Sequence, residues 1–507
     1  MEPAKSSLDR MLDWIERVGN KVPHPAVIFL IMAAVVIVLS HLFHMLGTHV
    51  TYQVIDLATH QPVTVTTAVN SLLTVEGLRF ILTSPVRNFL GFLPVGLILV
   101  AMVGVGVAEE AGLIKALIRK IVLVAPRRLI TFIIVFMGAL SSVASDAGYL
   151  VLIPLGAAAF LSLGRHPLAG LAAAFAGVAA VFGVNLIITP VDAVLTEITN
   201  DAAHLLNPRF SLDLTANLYF SIASTIAMSI VCTVITERMI EPRLGVYRGE
   251  RPPPEDDAVT PAESRGLRYA LWALLGTVLV LALCVLPPGA PLRHPETDAI
   301  IGNTPFMNSL IVLIMILFLT TGLAYGRGAG TINTASEAMA SITKTFSGLG
   351  GLVFLFLVIA QFLAYFNYSN LATIAAIELG SVVKAMNLGT IPMLLGFIIV
   401  TIVVGIIMPP AIAKWALLAP IFVPLFMKLD IDPATVLAAY RVADSPINVV
   451  TPLMAYFGMI VVFARRYDPE AGIGTVVAMM LPYAVILYVS WTVFLLIWHL
   501  LGIPVGP

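Results

Sequence analysis

The chain has 507 residues, 59% hydrophobic and only 11% charged, with a formal net charge of −1. That balance lies far outside the soluble range and describes a polytopic, all-α membrane protein with no basic surface for nucleic acid. The two cysteines, Cys232 and Cys284, fall in apolar spans and imply neither a disulfide framework nor a metal site, and no G-x-x-x-x-G-K-S/T phosphate loop provides a built-in ATPase.

Within residues 1–23, Leu8, Met11, Leu12, Ile15 and Val18 share one face, opposite the charges. This predicts a cytoplasmic interfacial helix lying along the membrane. No A-x-A cleavage site follows this charged leader. A first span is predicted over 25–46, and the polar stretch after it alternates like a small extramembrane hairpin. Span two, 89–112, ends in Glu109 and Glu110, expected to be solvated at the membrane edge.

Residues 129–163 hold two apolar arms around the polar tip 144–148, ASDAG. Arms of about 15 residues reach about 22 Å as helix, short of a ~30 Å hydrocarbon core, so a re-entrant hairpin is predicted. Two short or tilted spans are the alternative. Spans three (167–191) and four (214–236) complete a first half, 24–237. A Pro- and charge-rich cytoplasmic linker, 238–267, leads to the second half, 268–507. That half contains spans five (268–287), six (306–325) and seven (350–370), with an interfacial stretch at 331–347. A second hairpin follows at 391–428 with its tip at 409–415, then span eight (434–464) and span nine (475–500).

The architecture expected is therefore about nine transmembrane helices plus two re-entrant hairpins. Lys and Arg divide as 20 inside and 6 outside, with Lys414 and Arg441 in the membrane, when the N-terminus is cytoplasmic and the C-terminus periplasmic. The two halves echo each other. Tyr149 and Pro154 follow the first tip as Trp415 and Pro420 follow the second, and Asn185 with Thr189-Pro190 matches Asn448 with Thr451-Pro452. Two hairpins entering from opposite sides are the signature of inverted repeats around a midplane site.

Span eight carries the most telling stretch, 439–456, AYRVADSPINVVTPLMAY. Each charge near a bilayer centre costs about 2.5–3.5 kcal/mol, yet Arg441 and Asp444 both lie there. Arg441, Asp444, Asn448 and Thr451 fall on one helical face, and Pro446 and Pro452 remove backbone donors. A helix lining a polar cavity uses such a pattern. The competing reading is an Arg441–Asp444 pair that locks two helices together.

These motifs resemble the p-aminobenzoyl-glutamate transporter (AbgT) family across nearly the whole chain. They include GVGVAEEAGL, SSVASDAGYLVLIPL, VNLIITPVDAVLTEIT, FNYSNL, AKWALLAPIFVPL and AYRVADSPINVVTPLMAYF. The resemblance implies a homodimeric carrier of the bacterial inner membrane, related to elevator-type ion transporters. It also implies import of aminobenzoyl-glutamate or export of sulfonamide antimetabolites. By motif it places Asp192, Trp415, Pro433 and Arg441 at the site. Ala443 and Pro446-Ile447 depart from the Gly and Ser/Thr-type residues of many members.

The site chemistry expected is substrate binding by Arg441, whose donor fork suits a carboxylate or sulfonamide. Trp415 is placed to stack on an aromatic ring, with Asn185 and Asn448 beside the helix breaks. A packing role is the other reading of Trp415, and Lys414 is expected to snorkel or to bind an anion. Ion coupling, to H⁺ or Na⁺, is expected at Ser145, Asp146, Asn370 and Asp444. Asp146 and Asp192 are candidates to carry protons, and Ser145, Asp146, Asn370 and Asn448 offer hard oxygens for Na⁺. No cofactor is expected; the partners are an anionic small molecule and membrane lipid. Another dicarboxylate or amino-acid-like anion is the alternative substrate. An intramembrane enzyme is disfavoured because no H-E-x-x-H or G-x-S-x-G motif occurs.

Overall fold

A computed structural model describes residues 25–55, 62–143, 148–249, 259–300, 304–375, 377–378 and 389–507. The expected interfacial helix in 1–23 and the hairpin-tip residues Ser145 and Asp146 lie outside the described residues. The chain begins with α1 (Pro25–Met45), the antiparallel ribbon β1 (His49–Ile55) and β2 (Pro62–Ala68), and the short helices α2 (Val75–Thr83) and α3 (Pro85–Leu90). It continues through α4 (Leu93–Glu110), α5 (Leu113–Val124), α6 (Ile130–Leu140), α7 (Ile153–Ser162), α8 (Pro167–Phe175), α9 (Pro190–Ala203) and α10 (Leu218–Ile235). The second half holds α11 (Pro261–Val285), α12 (Pro305–Ala329), α13 (Ala335–Gly348), α14 (Gly350–Tyr368) and α15 (Thr390–Ile407). It closes with α16 (Ala411–Met427), α17 (Pro433–Asp444), α18 (Phe457–Arg465) and α19 (Ile473–Leu500).

Among the described residues, seven helices are long and apolar enough to cross a membrane. They coincide with predicted spans one, two, four, five, six, seven and nine. Spans three and eight are instead interrupted. After α8 the chain passes through a π turn, Ala176–Ala180, unwinds, and restarts where Thr189 caps α9. After α17 it makes a 3₁₀ turn, Pro446–Val449, and does not return to helix until Phe457. Pro446 lacks a donor and cannot continue the α-helix. The helical face drawn through Arg441, Asp444, Asn448 and Thr451 therefore ends at Asp444.

The hairpin regions form apolar helices that are shorter than most of the seven spans, such as Gly148–Ser162 and Ala411–Met427. The second tip is shorter than expected. Pro409 and Pro410 end α15, Pro410 stands at the N-cap of α16, and Lys414 and Trp415 are already helical. The linker is shorter as well. A π turn, Thr236–Ile240, and the helical turn Glu241–Leu244 extend α10, and a capping box between Thr260 and Glu263 starts α11. Glu110 pairs with Lys344 of α13 at 2.6 Å.

The main core joins both hairpins, both interrupted helices, α10 and α19, with α1 and α14 against it. A smaller core joins α4, α5, α11 and α12 around Tyr325. At the centre the two breaks meet: the Pro446–Val449 turn packs on the Ala176–Ala180 turn, and α9 packs on α16. Glycine permits the tightest approaches. A Cβ on Gly170 would stand 2.2 Å from the Gly156 carbonyl oxygen, whereas one on Gly276 meets nothing within 4 Å. Gly170→Leu is therefore expected to cost at least the ~1–3 kcal/mol of an overpacked core and to lower the melting temperature. Gly276→Ala should leave it unchanged; equal melting of the two variants would refute the packing argument.

Candidate functional site

Each break exposes backbone polar groups inside the core, and the side chains around them satisfy that demand. Asn185 follows the first break. Its backbone N–H donates to Ser221 Oγ at 2.8 Å, while Ser221 Oγ donates back to the Asn185 carbonyl at 2.8 Å. Its side-chain amide donates to Ala139 O, Leu140 O and Ser142 Oγ at 3.0–3.3 Å, tying the break to the end of the first hairpin arm. Gly183 N donates to Ser445 Oγ at 2.9 Å, and a Cβ on Gly183 would lie 2.4 Å from that oxygen. Only glycine lets the breaks approach this closely.

Asp192 sits in the first turn of α9, where its Oδ2 accepts from Thr189 N at 2.7 Å and Thr189 Oγ1 at 2.8 Å. A carboxylate at a helix N-terminus also faces the positive end of the helix dipole. Its other oxygen, Oδ1, accepts from Arg441 Nη1 of α17. Arg441 Nη1 also donates to Gly183 O at 2.9 Å, and Nε donates to Asn217 Oδ1 at 3.2 Å. Asn217 in turn donates to Ala434 O at 2.9 Å, next to Pro433, which opens α17. Among the described residues Arg441 Nη2 makes no hydrogen bond. The guanidinium lines a cavity of about 10 Å³ with Asp192, Asn185, Ser142, Tyr440 and Asp444. That volume admits about one water and no organic ligand.

The Arg441–Asp444 lock is not the arrangement formed. Arg441 pairs with Asp192, and Asp444 pairs with Lys414 of α16 at 2.6 Å. Helical spacing puts Asp444 within reach of Arg441, but the first half of the chain supplies a better-placed carboxylate. Lys414 neither snorkels nor meets solvent; it is fully buried. Trp415 is also fully buried, with its ring 4.5 Å from Tyr440 and its Nε1 donating to Thr199 Oγ1 at 3.0 Å and Leu195 O at 3.1 Å. The ring packs α16 onto α9 and α17.

The structure thus brings Asp192, Arg441, Asn185, Asp444 and Trp415 to one region, with Pro433 at the start of the helix that carries Arg441. Asn448 reaches it through a 3.4 Å contact from Nδ2 to Ala179 O. Asn370 is elsewhere. Its amide donates to Ala68 O at 3.0 Å, beside the β-ribbon, in a backbone with φ 59°. Asn217, Ser221, Tyr440 and Ser445 also build the site, and sequence reasoning passed over them. Asn217 and Ser221 were visible only as polar residues entering an apolar helix.

The Arg441 side chain is 4% exposed and that of Asp192 14%, so removing the carboxylate strands a buried guanidinium at a cost of about 3–5 kcal/mol, and removing the guanidinium costs less. Asp192→Asn should lower stability by that order, and Arg441→Gln by less. The double variant should recover most of the loss in a melting experiment, and strictly additive losses would rule the pair out as a coupled unit.

The model of the AbgT transporter family matches residues 10–507. The p-aminobenzoyl-glutamate transport protein of Escherichia coli strain K12 is 34% identical over 508 residues, covering 100% of this chain and 97% of that protein. The crystal structure of the YdaH transporter of Alcanivorax borkumensis superposes with a TM-score of 0.89 at 38% identity, covering 96% of this chain and 100% of that one. MtrF of Neisseria gonorrhoeae, one of a class of antimetabolite efflux pumps, gives 0.90 at 37% identity, covering 98% and 99%. A match of this extent, on a chain of apolar helices with a charged crossing at its core, makes this multi-pass membrane protein a transporter rather than an enzyme, and a member of the AbgT family.

Proposed function

We propose that this protein is an ion-gradient-driven secondary transporter of aminobenzoyl-glutamate or a related aminobenzene anion, sulfonamide antimetabolites included. The observation that carries the reading is Arg441. It is a buried guanidinium with one nitrogen unbonded among the described residues, facing a cavity between two helix breaks. A carboxylate or sulfonamide oxygen is the ligand that such a donor takes. The relatives support the substrate class, since one is a p-aminobenzoyl-glutamate transport protein and another an antimetabolite efflux pump.

A cavity of about 10 Å³ is too small for an aminobenzene anion, so its wall must move to admit substrate. We read the short apolar helix pairs as re-entrant hairpins. The halves 24–237 and 268–507 then form inverted repeats, in a homodimer of the bacterial inner membrane with an elevator-type cycle. Support comes from the paired interruptions of spans three and eight. The symmetry is partial: Thr189 caps α9, whereas Thr451 Oγ1 reaches Ile406 O at 3.4 Å and caps no helix. In this reading the N-terminus is cytoplasmic and the C-terminus periplasmic.

Proteoliposomes loaded with unlabelled aminobenzoyl-glutamate should take up the labelled compound by saturable counterflow. A linear, non-saturating flux would instead make the protein a channel. A hydrogen bond to a charged group is worth about 1.5–3 kcal/mol, so Arg441→Gln should weaken substrate binding by roughly 10- to 150-fold. Arg441→Lys should also be impaired, because an ammonium lacks the planar fork. If the neutral double variant Arg441→Gln with Asp192→Asn transports at the wild-type rate, the pair is structural and substrate binds elsewhere. Reporters after Pro507 and near Glu255 should register on opposite faces of the membrane, outside and inside; the same face for both would overturn the topology.

A further inference from the structure

The first ion pair of the crossing is absorbed by substrate binding, but the second is not. Lys414 is 0% exposed and Asp444 2%, with Nζ 2.6 Å from Oδ1. The approach has the distance of an ion pair without the angle of a hydrogen bond. Among the described residues, no N–H of the ammonium finds a hydrogen-bond acceptor. Nζ lies 2.9 Å from where a Cβ on Gly405 would stand, so the missing side chain of α15 makes the space that holds it. Tyr440 OH has one proton to share between Ala411 O at 2.5 Å and Asp444 Oδ1 at 3.2 Å, and Tyr488 OH donates to Ala443 O at 3.0 Å. The neighbouring charges, Arg441 and Asp192, neutralise each other. Asp444 therefore has one full counter-charge, and it comes from the chain itself.

A buried carboxylate beside an unwound helix in a membrane core is the type of group that recruits a small monovalent cation, because an unpaired charge there is costly. Lysine presents the same single positive charge on a compact, strongly hydrated head. Its poor hydrogen bonding is that of a point charge filling a place, not of a donor built into a network. We infer that the Lys414 ammonium is a resident counter-cation. It occupies the position in which Asp444 would otherwise hold Na⁺, and so makes this unit of the transporter indifferent to Na⁺. Lys414 is thus a residue that determines cation selectivity; it touches Asp444, not the substrate. The inference deepens the reading of the chain as an ion-coupled carrier and rests on it for its consequence, that the pair leaves H⁺ as the coupling ion at this position.

The test is thermal melting of purified full-length protein with NaCl titrated against choline chloride at constant ionic strength, without substrate or gradient. Lys414→Gln should acquire a saturable upward shift of melting temperature with Na⁺ that wild type lacks, since a ligand that binds only the folded state raises its stability. The double variant Lys414→Gln with Asp444→Asn should lose that shift again. Should the glutamine variant fail to fold in choline, its recovery in Na⁺ supports the proposal. Lys414→Ala repeats the test if it fails in both salts. A folded neutral variant with the wild-type response to Na⁺ overturns it, as does a Na⁺ shift that survives in the double variant. Counterflow of labelled aminobenzoyl-glutamate is measured alongside. Wild-type flux should be unchanged in choline, whereas the neutral variant should lose about tenfold. An absence of counterflow in every protein, with the melting pattern intact, would count against the substrate reading and leave the cation assignment standing.

Discussion

The rest of the structure depends on the requirement that four charges at the crossing of two interrupted helices be neutralised away from water. Arg441 and Asp192, and Lys414 and Asp444, meet this requirement as two separate pairs. Each pair draws its members from different elements: α17 with α9, and α16 with α17. Neither pair forms within one helix. The charges therefore hold the second hairpin, the first interrupted helix and the second interrupted helix to one another. Any motion that separates those elements must first provide another partner for a buried ion, because a lone one costs several kcal/mol. A mobile charge that takes the place of a fixed one would remove that cost.

The neutral polar groups extend the same logic. Helix breaks free N–H and C=O groups, and in a hydrocarbon setting those need partners within the protein. Ser221 both donates to and accepts from the backbone of Asn185, Ser445 accepts from Gly183, and Asn217 links Arg441 to the first turn of α17. Gly183 lets the breaks approach closely enough for these bonds to form. Trp415 packs where three elements converge and spends its one donor on α9. The result is a small cavity, lined by polar side chains, beside a guanidinium that retains bonding capacity.

Much of the architecture was legible in composition and periodicity. Long apolar runs located the seven uninterrupted spans, and the short apolar arms around polar tips located both hairpin regions. Asn185, Asp192, Arg441 and Asp444 stood out because polar residues in apolar stretches carry a cost that demands a use. Pro190 and Pro446 likewise marked where helices restart or stop, since each lacks a backbone donor.

The sequence by itself therefore determined the membrane class, the order of the helices and the identity of the charges at the centre. Only the tertiary structure decided the pairing. Arg441 and Asp444 are neighbours at i, i+3, and local spacing favours them as partners. The ion pairs formed instead use Asp192, 249 positions away from Arg441, and Lys414. The π turn at 176–180 and the seating of Trp415 against α9 were equally hidden. Helix periodicity describes one segment at a time, whereas these features exist because two breaks from opposite halves of the chain occupy the same space.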